Sequence, residues 1–233
     1  MSLVLLLMTM MAVPERVQEP GMYEELLERP DGSVVRYALS IPKGYEPEKP
    51  RPLVLALHYG GTVTPYYGKG FLVQLVEPGV KSLGAIIVAP DCPSRNWTNP
   101  MSESGVMALV EHILENYSVD RERILVMGYS LGGRGTWYMA SRHADLFTAA
   151  IPMAGWPSEE MAEKIGDMPI CIIHSVDDEV VEMEPTKEAV KSLEARDAPV
   201  KLITVRGITH YQVPDYAKYL KQAVRWIKEK WDE

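Results

Sequence analysis

Five residues, Gly128-Tyr129-Ser130-Leu131-Gly132, constrain this chain more than any others. They follow directly on the apolar run ILVMG (124–128) and lead into GRGTWYMASRH, a good helix former. A strand that turns within one residue into a helix leaves little room. A side chain two positions before or after the serine would collide with the neighbouring strand or helix, so glycine is needed at both places. The serine itself must take a strained backbone conformation, which exposes its hydroxyl at the tip of the turn. The helix then directs free N–H groups toward any negative charge that forms beside that hydroxyl. The five-residue pattern alone is common. The strand before it and the helix after it give it weight.

The surrounding chain has the matching rhythm. The runs LVLALH (53–58), AIIVAP (85–90), ILVMG (124–128), AAIPM (149–153), ICIIH (170–174) and VKLITV (200–205) are nearly continuous in apolar residues, as strands buried on both faces are. Helical patterns lie between them at about 103–117, 131–143, 185–196 and 214–231, with shorter ones near 70–81 and 158–165. Alternation of this kind predicts an α/β fold with a mostly parallel sheet and helices on both faces. Two more strands, near 22–28 and 34–41, flank the turn Pro30-Asp31-Gly32 and extend one edge as an antiparallel hairpin. The expected organisation is one domain over residues 14–233. In such sheets ligands gather at the carboxyl ends of the strands, so the residues that close each apolar run are the ones to inspect.

Composition narrows the function classes. The 233 residues are 46% apolar and 24% charged, with a net charge of −8. An acidic chain gains nothing from a phosphate backbone, which argues against a nucleic-acid partner. Two cysteines, Cys92 and Cys171, are too few for a disulfide framework, sit in strand-like surroundings as buried thiols would, and suggest no metal site. The opening MSLVLLLMTMMA is apolar but too short to span a bilayer. It reads as a short signal ending near Ala12 or as an edge element. It lacks the Lys or Arg that usually opens a signal, and Met11 offers a second start, so the balance leans to a cytoplasmic protein. No other stretch reads as a transmembrane helix.

A serine hydroxyl needs a base. In chains built on this turn the order is Ser, then Asp or Glu, then His. Three histidines follow Ser130. His143 lies in the helix after the turn and points away, as a surface residue. His174 closes a strand and precedes the acid candidates. His210 follows the last strand in the loop Gly207-Ile208-Thr209-His210-Tyr211, where the base belongs. The acid falls among Asp177 and Asp178, just after ICIIHS. Asp178, followed by Glu179-Val180-Val181, fits better, and Asp177 is then a turn former. A developing oxyanion needs two donors. One is the Leu131 N–H. The other comes from the loop His58-Tyr59-Gly60-Gly61-Thr62, with Gly60 first and Tyr59 as the alternative. His58 reads as a residue that holds this loop.

At this point the chain resembles a known group. The segments YALSIPKGYEPEKPRPLVLALHYGG (37–61), VAPDCPSRNW (88–97), the block from Tyr117 to Trp156, IIHSVDDEVV (172–181) and GITHY (207–211) are similar to prolyl-oligopeptidase-like esterases of the α/β-hydrolase fold. That group includes feruloyl esterases, polyhydroxybutyrate depolymerase-like proteins and predicted peptidases. The resemblance implies a Ser-Asp-His triad, matched here by Ser130, Asp178 and His210. It implies that Trp97 lines the substrate pocket, although Trp97 by itself fits core packing equally well and Trp156 is a similar case; Tyr129 is counted with them as a substrate-binding candidate. The group usually has His-Gly where this chain has His58-Tyr59, and commonly His-Gly where it has His174-Ser175. The tyrosine adds a side chain beside the oxyanion loop.

The expected activity is hydrolysis of short acyl or aryl esters, free or attached to a polymer, with no metal or organic cofactor. About 15 residues, GWPSEEMAEKIGDMP, separate the strand ending at Met153 from the next, too few for a cap domain. Amide or peptide cleavage by the same groups is an alternative. A non-catalytic hydrolase-like binding protein is another, though such proteins usually lose one triad member.

Overall fold

The computed structural model describes residues 19–233. The apolar N-terminal run and its reading as a signal lie outside these residues. Eight strands form one sheet: β1 (Gly21–Glu28), β2 (Val34–Ile41), β3 (Arg51–Leu57), β4 (Ile86–Pro90), β5 (Val119–Tyr129), β6 (Ala149–Met153), β7 (Ile170–Ser175) and β8 (Val200–Val205). Their order is β1-β2-β4-β3-β5-β6-β7-β8. Strands β1 and β2 pair antiparallel, as does β2 with β4, and every pairing from β4 across to β8 is parallel. The edge hairpin turns at Gly32, whose φ of 79° suits glycine, and the Asp31 carboxylate accepts the Ser33 N–H there.

Buried on both faces, the central strands divide their side chains between two layers. Leu53, Leu55 and Leu57 of β3 enter one apolar cluster, Val54 and Ala56 the other. The first layer is closed by α3 (Pro100–Asn116), α4 (Leu131–Arg142), α5 (Glu159–Glu163) and α6 (Glu184–Glu194). The second is closed by the helical segment that begins with α1 (Tyr67–Phe71) and α2 (Glu77–Val80), and by α7 (Ala217–Trp231). This is the α/β-hydrolase fold. Only the five-residue α5 stands in the connection from β6 to β7, so no cap domain is built there.

Two elements differ from their sequence reading. The predicted helix near 70–81 is split, with a π turn over Leu72–Val76 joining α1 to α2. Pro78 has no N–H to give the preceding turn, which interrupts regular α-helix bonding there. Strand β5 starts five residues before its apolar run because Val119 pairs with Arg51, ahead of a register shift.

The β5–α4 turn is the tightest point of the architecture. A Cβ added at Gly132 would overlap the carbonyls of Leu57 and His58, and one at Gly128 would overlap those of Gly132 and Leu57. These are backbone atoms of packed strands and cannot yield cheaply. Gly132→Ala is therefore expected to cost at least ~3 kcal/mol in denaturant unfolding. Gly70→Ala, exposed on α1 with open space around it, is expected to be neutral or to gain up to ~1 kcal/mol.

Candidate active site

Ser130 sits at φ 56° and ψ −116°, between the end of β5 and the first residue of α4. Few L-residues adopt that conformation, and the surrounding bonds enforce it. The Ser130 N–H donates to the Met153 carbonyl at 2.9 Å, and the Ser130 carbonyl accepts from the Arg134 N–H at 2.9 Å. The hydroxyl that results lies 2.8 Å from His210 Nε2. On the other side of the ring, His210 Nδ1 lies 2.8 Å from Asp178 Oδ2. Nδ1–H thus donates to the carboxylate, leaving the Nε2 lone pair facing the serine.

Asp178 is fully buried in its side chain. Its Oδ1 accepts the N–H groups of Val180 and Val181 at 2.9 and 2.8 Å. Burial opposes its charge. The bond from His210 and the two backbone donors prevail, holding the carboxyl below the usual carboxylate range. Asp177 does a different job: its Oδ2 accepts the Gly207 N–H at 2.7 Å and ties the two loops together.

The His210 loop is pinned from several directions. The His210 N–H donates to Glu179 Oε2 at 3.0 Å, the His210 carbonyl accepts the Tyr129 hydroxyl at 2.8 Å, and the Ile208 carbonyl accepts the Ser175 hydroxyl at 2.6 Å. His174 supports the acid's turn. Its Nε2 lies 3.0 Å from the Val181 carbonyl and 3.9 Å from Asp178 Oδ2, and its Nδ1 lies 2.9 Å from the Thr186 hydroxyl. Burial lowers its pKa, keeping it neutral in this polar cluster. Gly60 and Leu131 face each other: a Cβ at Gly60 would stand 3.8 Å from the Leu131 Cβ. The Leu131 N–H, at the first position of α4, has no partner one turn back within the helix.

A scan of family models matches residues 95–230 to the dienelactone hydrolase family. The chain belongs to that family. Among curated relatives it is 29% identical over 131 residues to feruloyl esterase C of Emericella nidulans, covering 51% of this chain and 46% of that one. To an acetylxylan esterase of Coprinopsis cinerea it is 31% identical over 128 residues, covering 48% and 33%. The chain thus spans about half, or less, of the curated relatives it matches. A solved structure of a thermostable esterase superimposes with a TM-score of 0.76 at 26% identity, over 89% of this chain and 62% of that one. These relatives agree with the esterase group that the motifs resemble.

In this dienelactone hydrolase family member, two of the expected pocket residues are not on the pocket. Trp97 is fully buried. Its Nε1 donates to the His58 carbonyl at 2.9 Å, its ring packs edge-on to the His58 imidazole, and Gly135 abuts its Cβ. It is the prop behind the loop that begins at His58. Tyr129 is 1% exposed and spends its hydroxyl on the His210 carbonyl. Tyr129 adjoins Ser130 in sequence and Trp97 lies between β4 and α3, and both rings are buried. Trp156 stays partly exposed, with the Arg134 guanidinium 4.9 Å from its ring centre. Tyr59, the departure from the usual glycine, is half-buried with its ring edge-on to Tyr67 and Phe71. His143 pairs with Glu103 at 2.9 Å on the α3–α4 surface, away from the other site residues.

Three supports escaped the sequence reading: Glu179, Ser175 and Tyr216, whose buried ring packs on Tyr129. Each acts on a loop distant in sequence, and no local pattern marks such a contact. Among the described residues, no group of three or more His, Cys, Asp or Glu side chains is placed to hold a metal.

His58 carries a measurable consequence. Its Nδ1 lies 2.7 Å from the Tyr59 carbonyl and its Nε2 accepts the Cys92 N–H at 3.0 Å. Only the neutral ring with hydrogen on Nδ1 satisfies both. Burial pushes its pKa down to about 4, against the partial opposition of the Tyr59 bond. With the folded value below the unfolded one, its stabilisation is complete above about pH 6.5 and is lost as pH falls toward 4. Unfolding titrations are expected to show up to roughly 3 kcal/mol lost across that window. A His58→Gln variant should lack most of this slope.

Proposed function

We propose that the protein is a serine carboxylesterase that hydrolyses short-chain acyl or aryl esters through an acyl-enzyme, with Ser130 as nucleophile, His210 as general base and Asp178 as the acid that orients it. The unbroken relay of 2.8 Å contacts from Ser130 Oγ through His210 to Asp178, set on a strained strand-to-helix turn, carries this reading. Ser130 Oγ attacks the ester carbonyl as its proton passes to His210 Nε2. The oxyanion is held by the Leu131 N–H and by that of Gly60, with Tyr59 as the alternative donor. Collapse breaks the bond to the leaving oxygen, which takes the proton from His210. Water then attacks the acyl-enzyme, gives a proton to the same nitrogen, and releases the carboxylic acid as Ser130 recovers its proton. The scheme uses side chains, backbone and water alone.

The short β6–β7 connection favours an uncapped site, suited to small acyl groups or to an ester carried on a larger molecule. The names of the feruloyl and acetylxylan esterases point the same way. The test is a panel of p-nitrophenyl, feruloyl and acetylated-sugar esters, with fluorophosphonate labelling alongside. Labelling of the wild type and not of Ser130→Ala is expected. Asp178→Asn should lower kcat by about four orders of magnitude. Acetate and butyrate esters should be cleaved faster than long-chain ones; a strong preference for long chains would contradict the open site.

A further inference from the structure

The loops that carry Asp178 and His210 present an unusual surface. Among the described residues, seven large apolar side chains are exposed, and three of them, Val176, Val180 and Tyr211, come from these two loops. Tyr211 is the most exposed of all, at 75%. Its ring stands edge-on to the His210 imidazole, 5.7 Å between centres, while the buried Tyr129 ring lies 5.3 Å from the same imidazole. His210 is thus flanked by one tyrosine inside the protein and one in solvent.

The exposure of Tyr211 is not a result of slack. Backbone groups on either side of it are anchored: Gly207 to Asp177, Ile208 to Ser175, His210 to Glu179 and Tyr129, and Thr209 to the Gln212 side chain at 2.8 Å. A rigid turn that holds a large aromatic ring out in water gives up the stability its burial would supply. It gains a stacking surface with little left to order on binding.

What would stack there follows from the chemistry of the base, and this step rests on the esterase reading. His210 Nε2 hands its proton to the leaving oxygen, so the alcohol part of the ester must lie against His210. The exposed surface next to that imidazole is Tyr211. Bonded to the backbone of the same loop, Asp177 and Glu179 each have one carboxylate oxygen held there, by Gly207 and His210, and the other with no hydrogen bond among the described residues. Free carboxylate oxygens accept hydroxyl protons and repel anions. We infer that Tyr211, with Glu179, forms a subsite for the alcohol half of the substrate, and that it takes a neutral, hydroxyl-bearing ring of the sugar type whose apolar face lies on the tyrosine.

Two esters with the same acyl group separate this subsite from the chemistry: ethyl acetate and a mono-acetylated methyl glycoside. Wild type, Tyr211→Ala and Tyr211→Trp are compared on both. The ratio of kcat/KM on the glycoside acetate to that on ethyl acetate is expected to fall about tenfold in Tyr211→Ala, mainly through KM, and to be retained in Tyr211→Trp. Because it is a ratio, general damage to the fold or to Ser130 cancels. An unchanged ratio in Tyr211→Ala, or an equal fall in Tyr211→Trp, overturns the subsite while leaving the esterase intact. A wild type inactive on both esters and unlabelled by fluorophosphonate overturns the esterase reading, and the subsite with it.

Discussion

The φ of 56° and ψ of −116° at Ser130 put this residue where an L-amino acid does not rest unaided, and the neighbourhood is arranged to hold it there. Leu57 and His58 present their carbonyls where a Cβ at position 132 would need to be, so α4 starts almost in contact with β3. Gly133 abuts Met153 and Gly155 in the same way on the other side, and Gly135 abuts Trp97. The first turns of α4 therefore wedge between the ends of two strands. The wedge sets the Leu131 side chain against the loop at Gly60 and leaves Ser130 partly exposed, its hydroxyl facing His210. Site geometry here is a by-product of backbone packing, which explains why the smallest residue recurs at 128, 132, 133 and 135.

Around that wedge the buried polar groups divide into two kinds. His58 and His174 are enclosed with no net charge: each ring's two nitrogens meet complementary partners, and burial keeps both rings neutral. They hold the loop after β3 and the turn after β7. Asp178 alone among these is held charged, because three donors converge on its two oxygens. A neutral frame around one ionised carboxylate directs its field at a single neighbour, His210. A protonated His174, 3.9 Å from Asp178 Oδ2, would compete for that field.

The strands and the elbow were legible in the sequence because each is a local pattern. Apolar runs of five or six residues buried on both faces leave an unmistakable mark, and a strand-to-helix turn around serine admits few residues. The proximity of Ser130, Asp178 and His210 was reachable by chain order and elimination, since few histidines and acids lie at strand ends. Trp97 and Tyr129 show where such reading stops. One follows β4 and the other precedes Ser130, yet whether each ring faces solvent or the core depends on a partner far along the chain: His58 for one, His210 for the other. A large aromatic with one polar atom serves equally well in either role. The π turn before Pro78 could be read only as a helix, because an apolar period does not report which carbonyl each N–H selects.

The short β6–β7 connection leaves the carboxyl edge of the sheet to its loops. With only α5 between β6 and β7, the carboxyl edge around Ser130 is framed by the segments that leave β3, β4, β7 and β8. These fall on two sides of Ser130. Toward β4 and β2, beyond the oxyanion loop, opens a cleft of about 450 Å³ lined by Val34, Arg36, Val63, Pro93 and Met101. Toward β8 stands the braced turn with Tyr211. On the proposed esterase reading, the leaving group of an ester held at Ser130 lies on the His210 side, where that turn stands. Because that turn and the backbone wedge at Ser130 are built from different segments, substitutions in the turn can retune that side without disturbing the wedge.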